Sequence, residues 1–252
     1  MKSISGIPVS RKGILILLAV AALLIFLGLS VSKALDKDDD EFTKDFRLKD
    51  CTFQSEGSNP YFILEPGFQS VFEGKEKGKT VRLVISVLNE TETINLPEIG
   101  DIETRVVEEK ETADGNPVET SRNFFAICDK TNDVYYFGEE VDIFNEDGTV
   151  VHEGAWRAGE PDEDGLAEPG IIMPRTFLLG SRYYQEVADG IALDRAEHVE
   201  MGLEITTPAG QFTGCVRIVE TTPLEPGESE KTYCPEVGLL KDGAVELVKY
   251  GK

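Results

Sequence analysis

Four sets of residues in this chain have the types to do chemistry. They are four cysteines, two histidines, one glycine-bracketed lysine loop and a surplus of carboxylates. None of the cysteines, Cys51, Cys128, Cys215 and Cys234, sits in a Cys-x-x-Cys, so zinc and thioredoxin-type chemistry have no support. An even number of cysteines in an exported chain is compatible with two disulfides. A hairpin turning around Leu224-Glu225 sets Cys215 opposite Cys234. Opposed residues of antiparallel strands have Cα atoms roughly 4.5–5.5 Å apart, inside the disulfide range. Cys215–Cys234 is therefore the expected bridge, and Cys51 and Cys128 pair by elimination.

The other sets point to less. His152-Glu153 opens like a zinc-protease motif, but Trp156 stands where the second histidine is required. The remaining histidine, His198, has no ligand partner at metal-binding spacing. Gly74 to Thr80 (GKEKGKT) has three residues between its glycines where a phosphate loop needs four, and it leads into a strand instead of a helix. It reads as a charged hairpin turn. Carboxylates are so abundant that nominating any pair for acid–base work would be empty, so no catalytic or cofactor-binding residue is assigned. Asp162, Glu163 and Asp164 are the one calcium candidate, and no other cofactor is expected. Asn89-Glu90-Thr91 is a glycosylation sequon. Tyr135-Tyr136 and Tyr183-Tyr184 should each place one ring inward and one outward if they lie on strands.

The elements that would carry these residues read as strands. Val81, Leu83, Ile85 and Val87 share one face, with Val84 and Leu88 on the other, so this strand is expected to be covered on both sides. Segments flanking Asp114-Gly115, Asn132-Asp133, Asp147-Gly148 and Asp242-Gly243 are hairpin signals, because Asn, Asp and Gly tolerate positive φ. Val199, Met201, Leu203 and Ile205 alternate with polar residues and predict a half-buried strand. Residues 157–175 read as the longest irregular loop. No helical pattern alternates with these strands, which excludes a parallel βαβ sheet. The expected fold class is all-β: an N-terminal transmembrane helix followed by a curved antiparallel sheet or partial β-barrel of ten to twelve strands.

That helix is Gly13 to Val31, GILILLAVAALLIFLGLSV, with no charged residue and thirteen Leu, Ile, Val or Phe. At about 1.5 Å per residue it spans roughly 28 Å, close to a bilayer's hydrocarbon thickness. It exceeds the usual 7–15-residue core of a signal peptide, which favours a retained anchor over cleavage after Ser32-Lys33-Ala34. Cleavage would leave a secreted protein. The organisation expected is a cytoplasmic tail over 1–12, the anchor over 13–31, a charged solvated linker over 32–50 and an extracytoplasmic β domain over 51–252. Beyond residue 32 the chain has 22 basic against 47 acidic side chains, a formal charge of −25 that repels nucleic acid and anionic lipid.

The stretches SRNFFAICDKTNDVYYFGEEVDIF, HEGAWRAG, LLGSRYYQE, TTPAGQFTGC and PEVGLLKDGAVELVKYG resemble a group of uncharacterised exported bacterial and archaeal proteins. The last of them is also similar to the ends of periplasmic proteins with strongly curved sheets. The likeness spans Val81 to Gly251. It implies an extracytoplasmic β fold of unassigned function and supplies no functional residue. The function expected is a membrane-tethered, extracytoplasmic binding or envelope-associated module without catalysis, taking an apolar ligand or an envelope protein partner. The alternatives are an envelope hydrolase using acidic residues and a purely structural envelope protein.

Overall fold

A computed structural model describes residues 41–152 and 154–252. The tail at 1–12, the anchor at 13–31 and residues 32–40 of the linker lie outside the described residues. Among the described residues, no helix is long and apolar enough to cross a membrane.

The described chain forms eighteen strands. The first group is β1 (Phe53–Gln54), β2 (Gly57–Asn59), β3 (Phe62–Leu64), β4 (Gln69–Glu76), β5 (Lys79–Leu96) and β6 (Gly100–Ala113). Next come β7 (Asn116–Cys128), β8 (Val134–Phe144), β9 (Val150–Val151), β10 (Trp156–Arg157), β11 (Glu168–Met173) and β12 (Arg182–Tyr184). The last are β13 (Glu186–Val187), β14 (Arg195–Thr207), β15 (Gly210–Thr222), β16 (Glu225–Cys234), β17 (Gly238–Asp242) and β18 (Val245–Gly251).

Sixteen of them belong to one antiparallel sheet, and β2 and β3 form a separate hairpin. The main path runs from β12 through β14 to β18, then β4 to β8, β11 and finally β13. Only Gln185 separates β12 from β13, so the two ends of the sheet are one continuous stretch of chain. Arg182–Tyr184 pair with β14, and Glu186–Val187 pair with β11. The sheet has curled on itself into a nearly closed barrel, which removes the open edges that invite association.

Local chemistry sets the hairpins. Lys77-Gly78 and Asp114-Gly115 are two-residue loops with all four φ angles positive, the geometry that matches strand twist. The Asp114 carboxylate accepts the Thr80 N–H at 2.9 Å, pinning the second loop to β5. Gly74 to Thr80 is thus a charged hairpin. Curvature comes from bulges, where the pairing shifts between Val87 and Thr91, between Asn123 and Phe125, and three times along β14–β15.

Those bulges correct one expectation. Val199 and Met201 are 41% and 52% exposed, while Ala196 and His198 are buried. Each bulge shifts the alternation, so the apolar phase of β14 does not stay on one face. A second correction concerns 157–175, which contains β11, a full member of the barrel wall, as well as the end of β10. A third concerns residues 41–50. Thr43 bridges Tyr183 in parallel, donating its N–H to Arg182 O at 3.0 Å and accepting from Tyr184 N at 2.9 Å. Phe46 and Leu48 pack on the core. This part of the expected solvated linker is a strap held against the barrel.

The strap, together with β1, covers Tyr135 and Tyr184, and all four tyrosines of the two pairs are buried. Tyr136 faces the interior, while Tyr135 on the opposite face is covered edge-on by Phe46 and Phe53. Phe42 covers Tyr184 in the same manner.

Disulfides join Cys51 to Cys128 and Cys215 to Cys234, with Cα atoms 5.2 and 4.1 Å apart. The first fastens the strap to β7. The second lies one step beyond the Val216–Tyr233 pair of β15 and β16. The hairpin turn itself is at Pro223-Leu224, one residue earlier than expected. Thr222 pairs with Glu225, because the pairing shifts between Glu220 and Thr222.

Candidate functional site

Strand alternation sends every second side chain of the barrel wall inward. From β5 these are Leu83, Ile85 and Val87, from β6 Val107, Glu109 and Glu111, and from β7 Glu119, Asn123 and Phe125. β4 adds Ser70 and Phe72, β16 adds Lys231 and Tyr233, and β17 adds Leu239 and Asp242. Tyr61, Phe62 and Ile63, around the β2–β3 turn, lie across the space between them. A cavity of about 140 Å³ remains. That is close to the ~150 Å³ of an engineered apolar cavity that binds benzene.

The lining has two chemical characters. One part is aromatic and aliphatic, including Phe62, Phe72, Leu83, Ile85, Phe125 and Ile172. The other is acidic. Glu111 stands directly across β6–β7 from Glu119, and Glu109 projects on the same side two residues before Glu111. Burial pushes the carboxyl of each of these three up to about 7. Glu119 and Glu76 add repulsion at Glu111, Glu109 adds it at Glu119, and Lys231 partly opposes the shift at Glu109. The Glu111 Oε1 atom is buried and has no hydrogen-bond partner among the described residues.

Lys231 is the cation of this wall, and it is already committed. Its Nζ lies 2.9 Å from Glu220 and 3.9 Å from Asp242. Burial disfavours its charge, but the two carboxylates outweigh that and raise it well above the usual lysine range. Tyr136 donates to Asn123 Oδ1 at 2.5 Å, and Asn123 donates to Ser121 at 3.1 Å. A further buried acid, Glu186, accepts the Asp194 N–H at 2.6 Å beside the seam of the barrel. Burial holds it well above the usual carboxylate range, with repulsion from Asp194 adding to the effect.

The residues singled out in the sequence lie elsewhere. His198 is buried, stacked on Phe177 with ring centroids 3.9 Å apart. Its Nε2 is 3.0 Å from the Tyr183 hydroxyl, and its Nδ1 meets the backbone of Leu178. Burial pushes it down to about 4, so at neutral pH it is a neutral structural ring. His152 is exposed and sits just past β9 with Nδ1 2.6 Å from Asp142. Asp162 uses both carboxylate oxygens on backbone N–H groups, Oδ1 on Asp164 and Gly165 and Oδ2 on Asp189. Its loop is closed by these bonds. Among the described residues, no group of three or more His, Cys, Asp or Glu is placed to hold a metal ion. Asn89 is exposed in the bulged part of β5.

The acidic wall was missed by motif reading, although a signal for it exists. In RVVEEKETA, Glu109 and Glu111 occupy the phase of buried Val107 and Ala113. Charge in the apolar phase of a strand marks either a solvated face or a polar interior, and local sequence cannot separate the two.

No protein-family model matches this chain, and no curated protein matches it. The resemblance to uncharacterised exported proteins is thus supported only as far as an all-β fold. Among solved structures, the chain is similar to a protein from Parabacteroides distasonis described as "a putative lipoprotein". The identity is 14%, the match covers 78% of this chain and 100% of the other, and the TM-score is 0.36. So distant a likeness carries no argument about this chain.

Proposed function

We propose that this chain is a membrane-tethered, extracytoplasmic module that binds a small molecule inside its barrel without transforming it. The observation that carries the reading is the cavity of about 140 Å³, walled by aromatic and aliphatic side chains with a few convergent polar groups. Ligand sites have this composition. The two disulfides support an oxidising compartment. The apolar run at Gly13 to Val31 supplies the tether.

The same cavity weighs against the alternatives. A polymer-cleaving hydrolase needs a cleft long enough for several units of a chain, whereas this volume suits a molecule of about benzene's size. A purely structural module would have a filled interior.

Native mass spectrometry of the full chain, extracted from its source membrane in mild detergent, tests the proposal. The expected result is a co-purifying small molecule that is released on collisional activation. Bare protein in every charge state would overturn it.

A further inference from the structure

We propose that the cavity's ligand is an organic cation, a small amine with an apolar body, whose ammonium is held by Glu111 and Glu119. This deepens the binding reading above and rests on it.

The argument begins with the unpartnered atom. Glu111 is only 9% exposed, lines the cavity, and has one carboxylate oxygen without a hydrogen-bond partner among the described residues. A buried acceptor left unsatisfied costs stability, so it is normally matched by a donor. Among the described residues the charges acting on Glu111 are negative, namely Glu119, Glu76 and Asp242. Glu119 feels Glu109, also negative. Lys231 is engaged by Glu220 and Asp242. The pair therefore has acceptors to offer and a charge to balance.

The remaining lining restricts the guest. Phe72, Leu83, Ile85 and Phe125 present apolar surface in the same space. An anionic guest would meet a wall of like charge. A neutral alcohol brings one O–H donor, while an ammonium brings up to three N–H donors and a charge. A bare metal ion would leave the aromatic side empty, and among the described residues no group of three or more candidate ligands is placed to hold one. A cavity of about 140 Å³ fits a ring or short chain bearing one amine.

Binding should also move protons. Glu111 and Glu119 are pushed up to about 7, so near neutrality each is only partly ionised, and an entering ammonium favours the ionised form. The other charged and titratable groups facing them are Glu109 on β6, Glu76 on β4, Lys231 and Tyr233 on β16, Asp242 on β17, and Tyr136 and the buried Glu139 on β8, whose carboxyl burial holds well above the usual range. None of them supplies a free cation that the guest must displace, since Lys231 is already paired. Affinity for an amine should rise from pH 6 to pH 8 as the pair ionises.

The test uses the full chain in detergent and three probes of one shape: benzylamine, benzyl alcohol and benzoate. Isothermal titration at pH 8 gives the affinities. Trp156 fluorescence follows the site, because its ring lies 5.2 Å from that of Tyr136, which lines the cavity. Benzylamine is expected to bind at least roughly tenfold tighter than benzyl alcohol, with benzoate weakest. In the double variant E111Q/E119Q that preference should shrink to about threefold or less while benzyl alcohol still binds. Equal binding of amine and alcohol, or tighter binding of benzoate, would overturn the cation assignment and leave the binding reading standing. Binding of none of the three would overturn the assignment as well, and the co-purified mass would then decide the binding reading separately. The three-probe comparison needs no variant, so a variant that fails to fold does not weaken it.

Discussion

Glu111 on β6 faces Glu119 on β7 in direct register, and both side chains point into the barrel. Like charges placed directly opposite on neighbouring strands destabilise a sheet, and burial adds to the effect. Two carboxylates retained there mark a place where the fold carries a local cost inside its own core.

The first prediction concerns that cost. Folding raises the Glu111 pKa from 4.5 to about 7, so the folded state binds the proton more tightly than the unfolded state. The associated stability is full below pH 4.5, falls as pH rises toward 7, and is absent above. Glu111→Gln removes the ionisation, so it should stabilise by about 1–3 kcal/mol at pH 8 and have little effect at pH 5. Thermal melts of both proteins at the two pH values check this. His198, whose pKa is lowered, pulls the opposite way between pH 6.5 and about 4, but it is present in both proteins and cancels. A gain at pH 5 equal to that at pH 8 would refute the explanation.

The barrel's seam depends on Gly170. A Cβ built there would meet Tyr184 O and the Gln185 carbonyl at 2.4 Å, so β11 can approach the turnover between β12 and β13 only without a side chain. Gly170→Ala should destabilise by on the order of 3 kcal/mol, since backbone has to move to admit the methyl. Urea unfolding measures it, and hydrogen exchange should show lost protection first at 168–170 and 182–187. Wild-type stability would rule out the seam as described.

The two disulfides should differ in worth. Their sequence separations are 77 residues for Cys51–Cys128 and 19 for Cys215–Cys234. Loop-closure entropy then assigns them roughly 4.5 and 3 kcal/mol. Denaturant unfolding of the C51A/C128A and C215A/C234A variants should rank them in that order. The first variant should also expose Tyr135, by freeing the strap that carries Phe46 and loosening β1, which carries Phe53. The reverse ranking would show that local geometry, not chain entropy, sets their contributions.

The tether is tested by fractionation of the full chain. It should stay with membranes through alkaline carbonate and high salt and leave only with detergent. Protease added outside intact cells should remove the β domain and spare the N-terminal tail. Release by carbonate, or protection of the β domain, would contradict the arrangement.

The sequence made much of the secondary structure readable because its signals are local. Lys77-Gly78 and Asp114-Gly115 form the hairpins that their residue types favour. The period-two runs in β5 and β6 are strands, and Cys215 with Cys234 was placed by counting across one hairpin. The errors share a cause. Alternation along its strand predicts an inward Met201, but three bulges along β14–β15 break the phase and leave it exposed. One ring of each tyrosine pair is expected outward, yet Tyr135 is covered, because nothing in its own strand foretells Phe46 arriving from the strap and Phe53 from β1. Residues 168–173 looked irregular because Pro and Gly weaken strand propensity, yet β8 and β13 hold them from either side.

What the sequence determined by itself is therefore the all-β class, the hairpin turns, the acidic charge and the apolar run near the start. These follow from side-chain type and from spacing over a few residues. What the tertiary structure decided is the closure of the sheet through 182–187 and, with it, the meaning of Glu109, Glu111 and Glu119. On an open sheet those carboxylates would face water and be unremarkable. Closure puts them in a concave space beside aromatic rings, where burial moves their pKa values and leaves Glu111 Oε1 without a partner among the described residues. Closure is set by contacts between segments far apart in the chain, and no local pattern encodes which face of a strand will become the inside.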